Sequence, residues 1–168
     1  LRGAPKVADG GATSAALAVY RLLAAGKLRA AVRSISDARA QHRESPLIRY
    51  LSGRIFFLEG RAEQASRDLA KAVKSSPRDC QAMAWLGLVK LKLDKPEEAA
   101  KWLETSLRHN PLHVTSHLGR AMMLISKRRL AEADALLGEI ATGKYQKHAS
   151  RGQRGWALAL RGKVKALE

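Results

Sequence analysis

The sequence predicts an all-α chain built as a solenoid of antiparallel helix pairs. Two observations carry that expectation. The first is periodicity: apolar residues recur at three- and four-residue steps in runs of helical length, and short polar turns separate the runs. Residues 80–113 display this best, with one run around Leu86-Gly87, a second around Ala99 and Leu103, and Asn110-Pro111 as the closing signal. The second is spacing. Pro77 and Pro111 stand 34 residues apart, as do Gly53 and Gly87, Gly26 and Gly60, and Ala38 and Ala72, while Ala31, Ala65, Ala99 and Ala133 keep the same step. A recurring helix–turn–helix unit of this length buries its apolar face against its neighbours rather than in one globular core. Small residues at Gly87 and Ala99 let paired helices approach, and Trp85, Leu86 and Leu103 are expected to fill the space around that contact.

Residues 1–11 are rich in glycine, lack periodicity and read as a linker or chain end, with the array expected over 12–168. The first repeat (12–45) is expected to hold helices near 12–25 and 28–42, broken at Gly26. It has Arg43 where later repeats have the closing proline, and Val19 where they have a small residue. The second repeat (46–79) opens on Ser45 as N-cap and Pro46 at the first helical position, where a missing N–H costs nothing. Its helices are expected to run to about Glu59 and Lys74, with Gly60 between them. In the third repeat (80–113), Glu97 and Glu98 fall in the first turn of the second helix, where the helix dipole favours negative charge. The fourth (114–147) keeps Ala121 and Ala133 and has Arg128 in place of the turn glycine. A partial fifth (148–168) is expected as one helix over 147–161, with Gly155 in step with Gly87. The chain lacks an initiating Met and stops at Glu168, early in what would be a partner helix, so it reads as a piece of a longer array. Leu158, Leu160 and Val164 are then expected on an exposed C-terminal edge, with possible self-association through it.

The pattern resembles the tetratricopeptide repeat over nearly the whole chain, on Gly53/Gly87, Ala31/Ala65/Ala99/Ala133, Ala38/Ala72 and Pro77/Pro111. That resemblance implies a superhelix of helix pairs whose first helices line a concave, peptide-binding groove. Carried over, the groove positions are Tyr20, Leu23, Tyr50, Arg54, Phe57, Leu58, Leu88, Leu91, Leu118, Met122, Ile125 and Trp156. Family members that bind chaperones clamp a terminal carboxylate with Lys and Asn; Ala16 and Tyr20 stand at those places here, so that clamp is not expected. The implied function is a protein-interaction module holding a partner's peptide or helix.

Charge bears on the partner. With 31 Lys and Arg against 15 Asp and Glu, the formal charge is +16, spread over both halves of the chain. Such an excess favours acidic proteins or, alternatively, nucleic acid or anionic lipid, although a solvated basic exterior accounts for it equally well. The one uneven stretch is 144–165, which contains no acid. Lys144, Lys147, Arg151, Arg154 and Arg161 form a candidate basic patch there, with Tyr145 and Trp156 its sparse aromatics.

Catalysis is not expected. There is no phosphate loop, zinc-protease motif or nucleophile elbow, and the carboxylates Glu97/Glu98 and Glu132/Asp134 fall in helix first turns. His109, His113 and His117 are four apart, but Pro111 lies among them and no carboxylate or Cys completes a site, so no metal or cofactor is expected. Cys80 is the sole cysteine, which excludes an internal disulfide. No apolar run is long enough to span a membrane and no signal-peptide pattern is present, so the expected location is the cytoplasm.

Overall fold

The computed structural model describes residues 10–167. The described residues are all-α, of the solenoid class expected from the repeat, and form two compact units that divide after Pro77. In unit 1, α1 (Gly10–Ala24) pairs with α2 (Leu28–Gln41) and α3 (Pro46–Leu58) with α4 (Ala62–Ser75). In unit 2, α5 (Cys80–Lys92) pairs with α6 (Pro96–His109) and α7 (Val114–Ser126) with α8 (Leu130–Ala141); a short 3₁₀ turn, Gln146–His148, leads to α9 (Arg151–Lys165). Residues 1–9 of the expected linker lie outside the described residues, and Gly10 and Gly11 already belong to α1.

Two of the pairs, α3 with α4 and α5 with α6, are closed by the same close approach. A Cβ on Gly53 would lie 2.5 Å from Leu69 Cγ, and one on Gly87 would lie 2.7 Å from Leu103 Cγ and 3.3 Å from the Ala99 carbonyl. Gly119 meets the same side chain from the other side, its Cβ position 2.6 Å from Leu103 Cδ2. Leu103, fully buried, is thus seated between α5 and α7. Around it, Leu86, Leu88, Val89, Leu118 and Ala121 are also buried. The remaining core of unit 2 gathers Leu137, Ile140, Tyr145 and Ala157.

The turn within each pair is built alike four times. The second residue after the first helix takes positive φ at Gly26 (69°), Gly60 (78°), Asp94 (54°) and Arg128 (57°). The next backbone N–H then reaches back to the first helix: Lys27 to Leu22, Arg61 to Phe56, Lys95 to Lys90 and Arg129 to Leu124, at 2.8–2.9 Å. This is the Schellman closure, which a glycine adopts without strain and other residues do not. Lys27, Arg61, Lys95 and Arg129 then cap the second helices with no side-chain cap bond. A cation there opposes the helix dipole. Three of the four instead reach the side chain three residues on: Arg61 to Gln64, Lys95 to Glu98 and Arg129 to Glu132.

The expected helices are found, but the last is displaced. α9 spans Arg151–Lys165 rather than 147–161, because Ser150 Oγ accepts from Gln153 N and Gln153 Oε1 accepts from Ser150 N, a full capping box. The connection before it is drawn tight at Gly143, where a Cβ would fall 2.8 Å from Glu139 Cα. Gly155 therefore faces open space instead of repeating Gly87, and buried Ala157 occupies the contact with unit 2's core. Val164, expected on an exposed edge, is fully buried, while Leu158 is 54 % exposed.

Beside this apolar packing lies a buried polar knot between α6 and α7. Ser106 Oγ donates to the Cys80 carbonyl at 3.0 Å, Ser116 Oγ donates to Ser106 Oγ at 2.8 Å, and His113 Nδ1 lies 2.9 Å from Ser116 Oγ. His117 Nε2 lies 2.8 Å from the Pro111 carbonyl and its ring rests on Tyr145, centroids 4.2 Å apart. His113 Nε2 and His117 Nδ1 have no hydrogen-bond partner among the described residues. Burial pushes both imidazoles below the ordinary 6.5. Asp79 works against this at His113, and the Pro111 carbonyl works against it at His117, where Arg120 and Lys144 add to the downward push.

Three outcomes follow from this packing. Gly87→Leu, or Ala99→Leu, overpacks the Leu103 seat and lowers unfolding free energy by about 1–3 kcal/mol in denaturant titration; wild-type midpoints in both would refute the assigned contact. Arg128→Gly relieves a left-handed residue and raises stability by about 1 kcal/mol, measured the same way. The third concerns pH. The unfolded chain binds protons at His113 and His117 near pH 6.5, the folded chain only lower, so stability is full above 6.5 and is lost as pH falls through the folded values. Melting temperature should therefore drop from pH 7 to pH 5, and a His113→Asn/His117→Phe double variant should flatten that drop.

Candidate functional site

The first helices α1 and α3 carry the most elaborated surface of unit 1. The Tyr20 and Tyr50 rings lie 6.5 Å apart, centroid to centroid, and the Arg54 guanidinium sits 5.6 Å from each ring centre. Arg54 Nη1 donates to the Tyr50 hydroxyl at 3.3 Å. Tyr50 is buried, and that burial raises its phenol well above the ordinary value, with Arg54 opposing, so the ring stays neutral. Tyr20 and Leu58 are exposed, at 37 % and 48 %, and so is Leu17, at 50 %. Leu23, Arg54 and Phe57 are partly buried. Leu17 was not among the expected groove residues, although it lies one helical turn before Tyr20.

In unit 2 the expected groove residues divide. Leu91, Met122, Ile125 and Trp156 are partly buried and keep open surface. Leu88 and Leu118 are fully buried, which corrects their assignment: like Tyr50, they fill the packing between helices and offer a partner no side-chain surface. Trp156 of α9 stacks on Trp85 of α5, with ring centroids 6.3 Å apart and planes at 26°. Trp85, expected to be packing around the Gly87 contact, is thus part of the aromatic surface. Nothing in the sequence pairs residues 85 and 156.

The basic patch is only partly free. Lys144, Lys147 and Arg151 are exposed or nearly so. Arg161 makes a two-bond ion pair with Asp134, at 2.7 and 2.8 Å, which holds the Asp134 carboxyl below its usual value. Arg154 Nη1 donates to the Ala149 carbonyl at 3.0 Å. These two arginines tie α9 to α8 and to the loop before it. The patch left for a partner is smaller than the sequence suggests.

The Ser106–His113–Ser116 contacts bring hydroxyls to an imidazole, but as packing. Both serines are fully buried and no carboxylate among the described residues bonds the ring, so the arrangement lacks the access and the orienting acid of a nucleophilic site. Burial also pushes the Cys80 thiol up, away from reactive thiolate. His109 is exposed at the end of α6, apart in burial from His113 and His117.

Comparison with known proteins bears on the family and the fold. The sequence model of the tetratricopeptide repeat matches residues 16–79, 59–108 and 86–149. A search of curated proteins gave no match. Among solved structures, the chain is similar to TTC0263, a thermophilic repeat protein of Thermus thermophilus, with 21 % identity, 91 % of this chain and 89 % of that one covered, and a TM-score of 0.69. It is similar also to PilF of Pseudomonas aeruginosa, with 22 % identity, coverage of 93 % and 76 %, and a TM-score of 0.61. YrrB, described as a repeat protein with an unusual peptide-binding site, aligns with 17 % identity, coverage of 89 % and 82 %, and a TM-score of 0.55. No helix among the described residues is long and apolar enough to cross a membrane. With three overlapping matches across most of its length, the chain belongs to the tetratricopeptide repeat family, whose helix pairs serve as protein–protein interaction scaffolds and are in general not enzymes.

Proposed function

We propose that this chain holds an extended peptide or a helix of an acidic partner against the first helices of its repeats. The observation that carries the reading is the Tyr20–Tyr50–Arg54 cluster, a guanidinium fixed between two aromatic rings and flanked by exposed Leu17 and Leu58. Aromatic and arginine side chains that are already ordered dominate binding energy, because little side-chain entropy remains to be lost. Arg54 supplies the polar contact, to a carboxylate or backbone carbonyl of the partner. Leu17, Tyr20, Phe57 and Leu58 supply the apolar one. In unit 2, Leu91, Met122, Ile125 and the Trp85–Trp156 pair offer the corresponding surface. The basic exterior draws acidic partners by long-range attraction rather than by tight contact.

The test is fluorescence anisotropy with the best-binding member of a library of short acidic and apolar peptides. Tyr20→Ser, Leu58→Ser and Met122→Ser, all at open or half-open positions, should weaken binding while melting stays near wild type. Arg54→Ala should cost about 2 kcal/mol, or about thirty-fold in Kd. Lys147→Ser/Arg151→Ser should matter mainly at low salt. If that basic pair abolishes binding with a steep salt slope while the apolar variants bind normally, polyanion binding through Lys144, Lys147 and Arg151 replaces the groove reading.

A further inference from the structure

Unit 1 contains a second feature, away from the tyrosine cluster. A cavity of about 350 Å³ opens beside α2, the start of α3 and α4, and three arginines line it: Arg39, Arg43 and Arg49. Arg39 is fixed from behind. Its Nη1 donates to Ser52 Oγ at 2.9 Å and pairs with Asp68 Oδ2 at 3.3 Å, while Ser52 Oγ donates to the same carboxylate oxygen at 2.6 Å. Ser52 is fully buried and Asp68 is 7 % exposed. The guanidinium also stacks over Phe56, 5.0 Å from the ring centre. These contacts use one of its nitrogens and leave Nε and Nη2 to donate elsewhere. Arg43 has no ion-pair partner among the described residues. Among the described residues Arg49 pairs with Glu44, whose side chain is 82 % exposed, a pair that an arriving anion displaces at little cost.

The repeat itself indicates that the fold does not require this chemistry. Thirty-four residues after Arg39, Arg43, Arg49, Ser52 and Asp68 stand Val73, Pro77, Met83, Leu86 and Trp102, with no charge among them. The Arg39–Asp68 pair, its arginine 41 % exposed and its acid buried, is not expected to stabilise the fold more than apolar packing of the same volume. Five polar residues of the first two repeats converge at one place where the positions one period on are apolar, and among them Ser52 and Asp68 support a prepositioned Arg39. We propose that this cavity is a binding site for an oxyanion on a partner peptide, the carboxylate of an acidic side chain or a phosphate ester. Arg39 is the fixed donor, and Arg43 and Arg49 close on the group from the rim. The three arginines of the cavity outnumber its two carboxylates, Asp68 and the exposed Glu44, so the net charge facing the ligand is positive.

The test uses the whole chain. Inorganic phosphate is titrated by calorimetry, followed by three otherwise identical short peptides carrying phosphoserine, glutamate or serine at the centre. Saturable one-site binding of phosphate is expected, with the serine peptide not bound. A phosphoserine peptide tighter than the glutamate peptide identifies a phosphate ester as the ligand; equal affinities identify a carboxylate. Arg43→Gln, at an exposed position, should weaken binding at least tenfold, and Ser52→Ala should weaken it less by loosening Arg39. Should Ser52→Ala compromise folding, Arg43→Gln and Arg49→Gln decide the matter alone. Tyr20→Ser should leave anion binding unchanged, which separates this site from the peptide-binding face. Non-saturable titration, equal binding of the serine peptide, or unchanged phosphate binding in an Arg43→Gln/Arg49→Gln variant would mean an adventitious ion only and overturn the site.

Discussion

Leu103 is gripped by two glycines, Gly87 of its own pair and Gly119 of the next, and the packing of α5, α6 and α7 is built on that contact. A helix pair has one stripe to bury and two neighbours to bury it against. Removing the Cβ at both facing positions lets a single branched side chain satisfy both. The helices then come close enough for Leu86, Leu118 and Ala121 to lose all solvent. Unit 1 applies the same device at Gly53 and Leu69. Where the pairs are closed in this way, aromatic and charged residues such as Tyr50, Arg54 and Trp85 can stand on the first helices without separating the paired backbones.

Position along the repeat and chemistry at a position are separate matters in this protein. The four turns share one backbone conformation although their positive-φ residue is glycine twice and Asp94 or Arg128 otherwise. The second repeat carries Ser52 and Asp68 where the third carries Leu86 and Trp102. The geometry is set by the spacing of small residues and turns. The side chains in between are free to differ, and they differ most where unit 1 holds its arginines.

The 34-residue step made eight of the helices legible before any coordinates, because their starts and stops are local: Ser45 with Pro46, the turn after each first helix, and Pro77 and Pro111 after second helices. The same step misplaced α9. A capping box at Ser150 and the tight bend at Gly143 reset the phase there, and a fixed period cannot register either. The candidate site was legible only as a face. Exposed Tyr20 and Leu58 follow from helical geometry, but Tyr50, Leu88 and Leu118 lie on the same stripe and turn inward, since on a narrow helix one residue's rotation separates core from surface. The Trp85–Trp156 stack and the Arg39–Ser52–Asp68 cluster join residues far apart in sequence, and no pattern of residue types announces such meetings.

The tryptophan stack has an optical consequence. Trp85 lies on the first helix of unit 2 and Trp156 on the last, with ring centres 6.3 Å apart and planes at 26°. Two indoles that close couple their electronic transitions, and the coupling depends on their mutual orientation. Far-ultraviolet dichroism records mainly how much of the chain is helical. The near-ultraviolet signal of this pair records whether α9 is seated, so the two bands of one spectrum distinguish a helix that has formed from a helix that has docked.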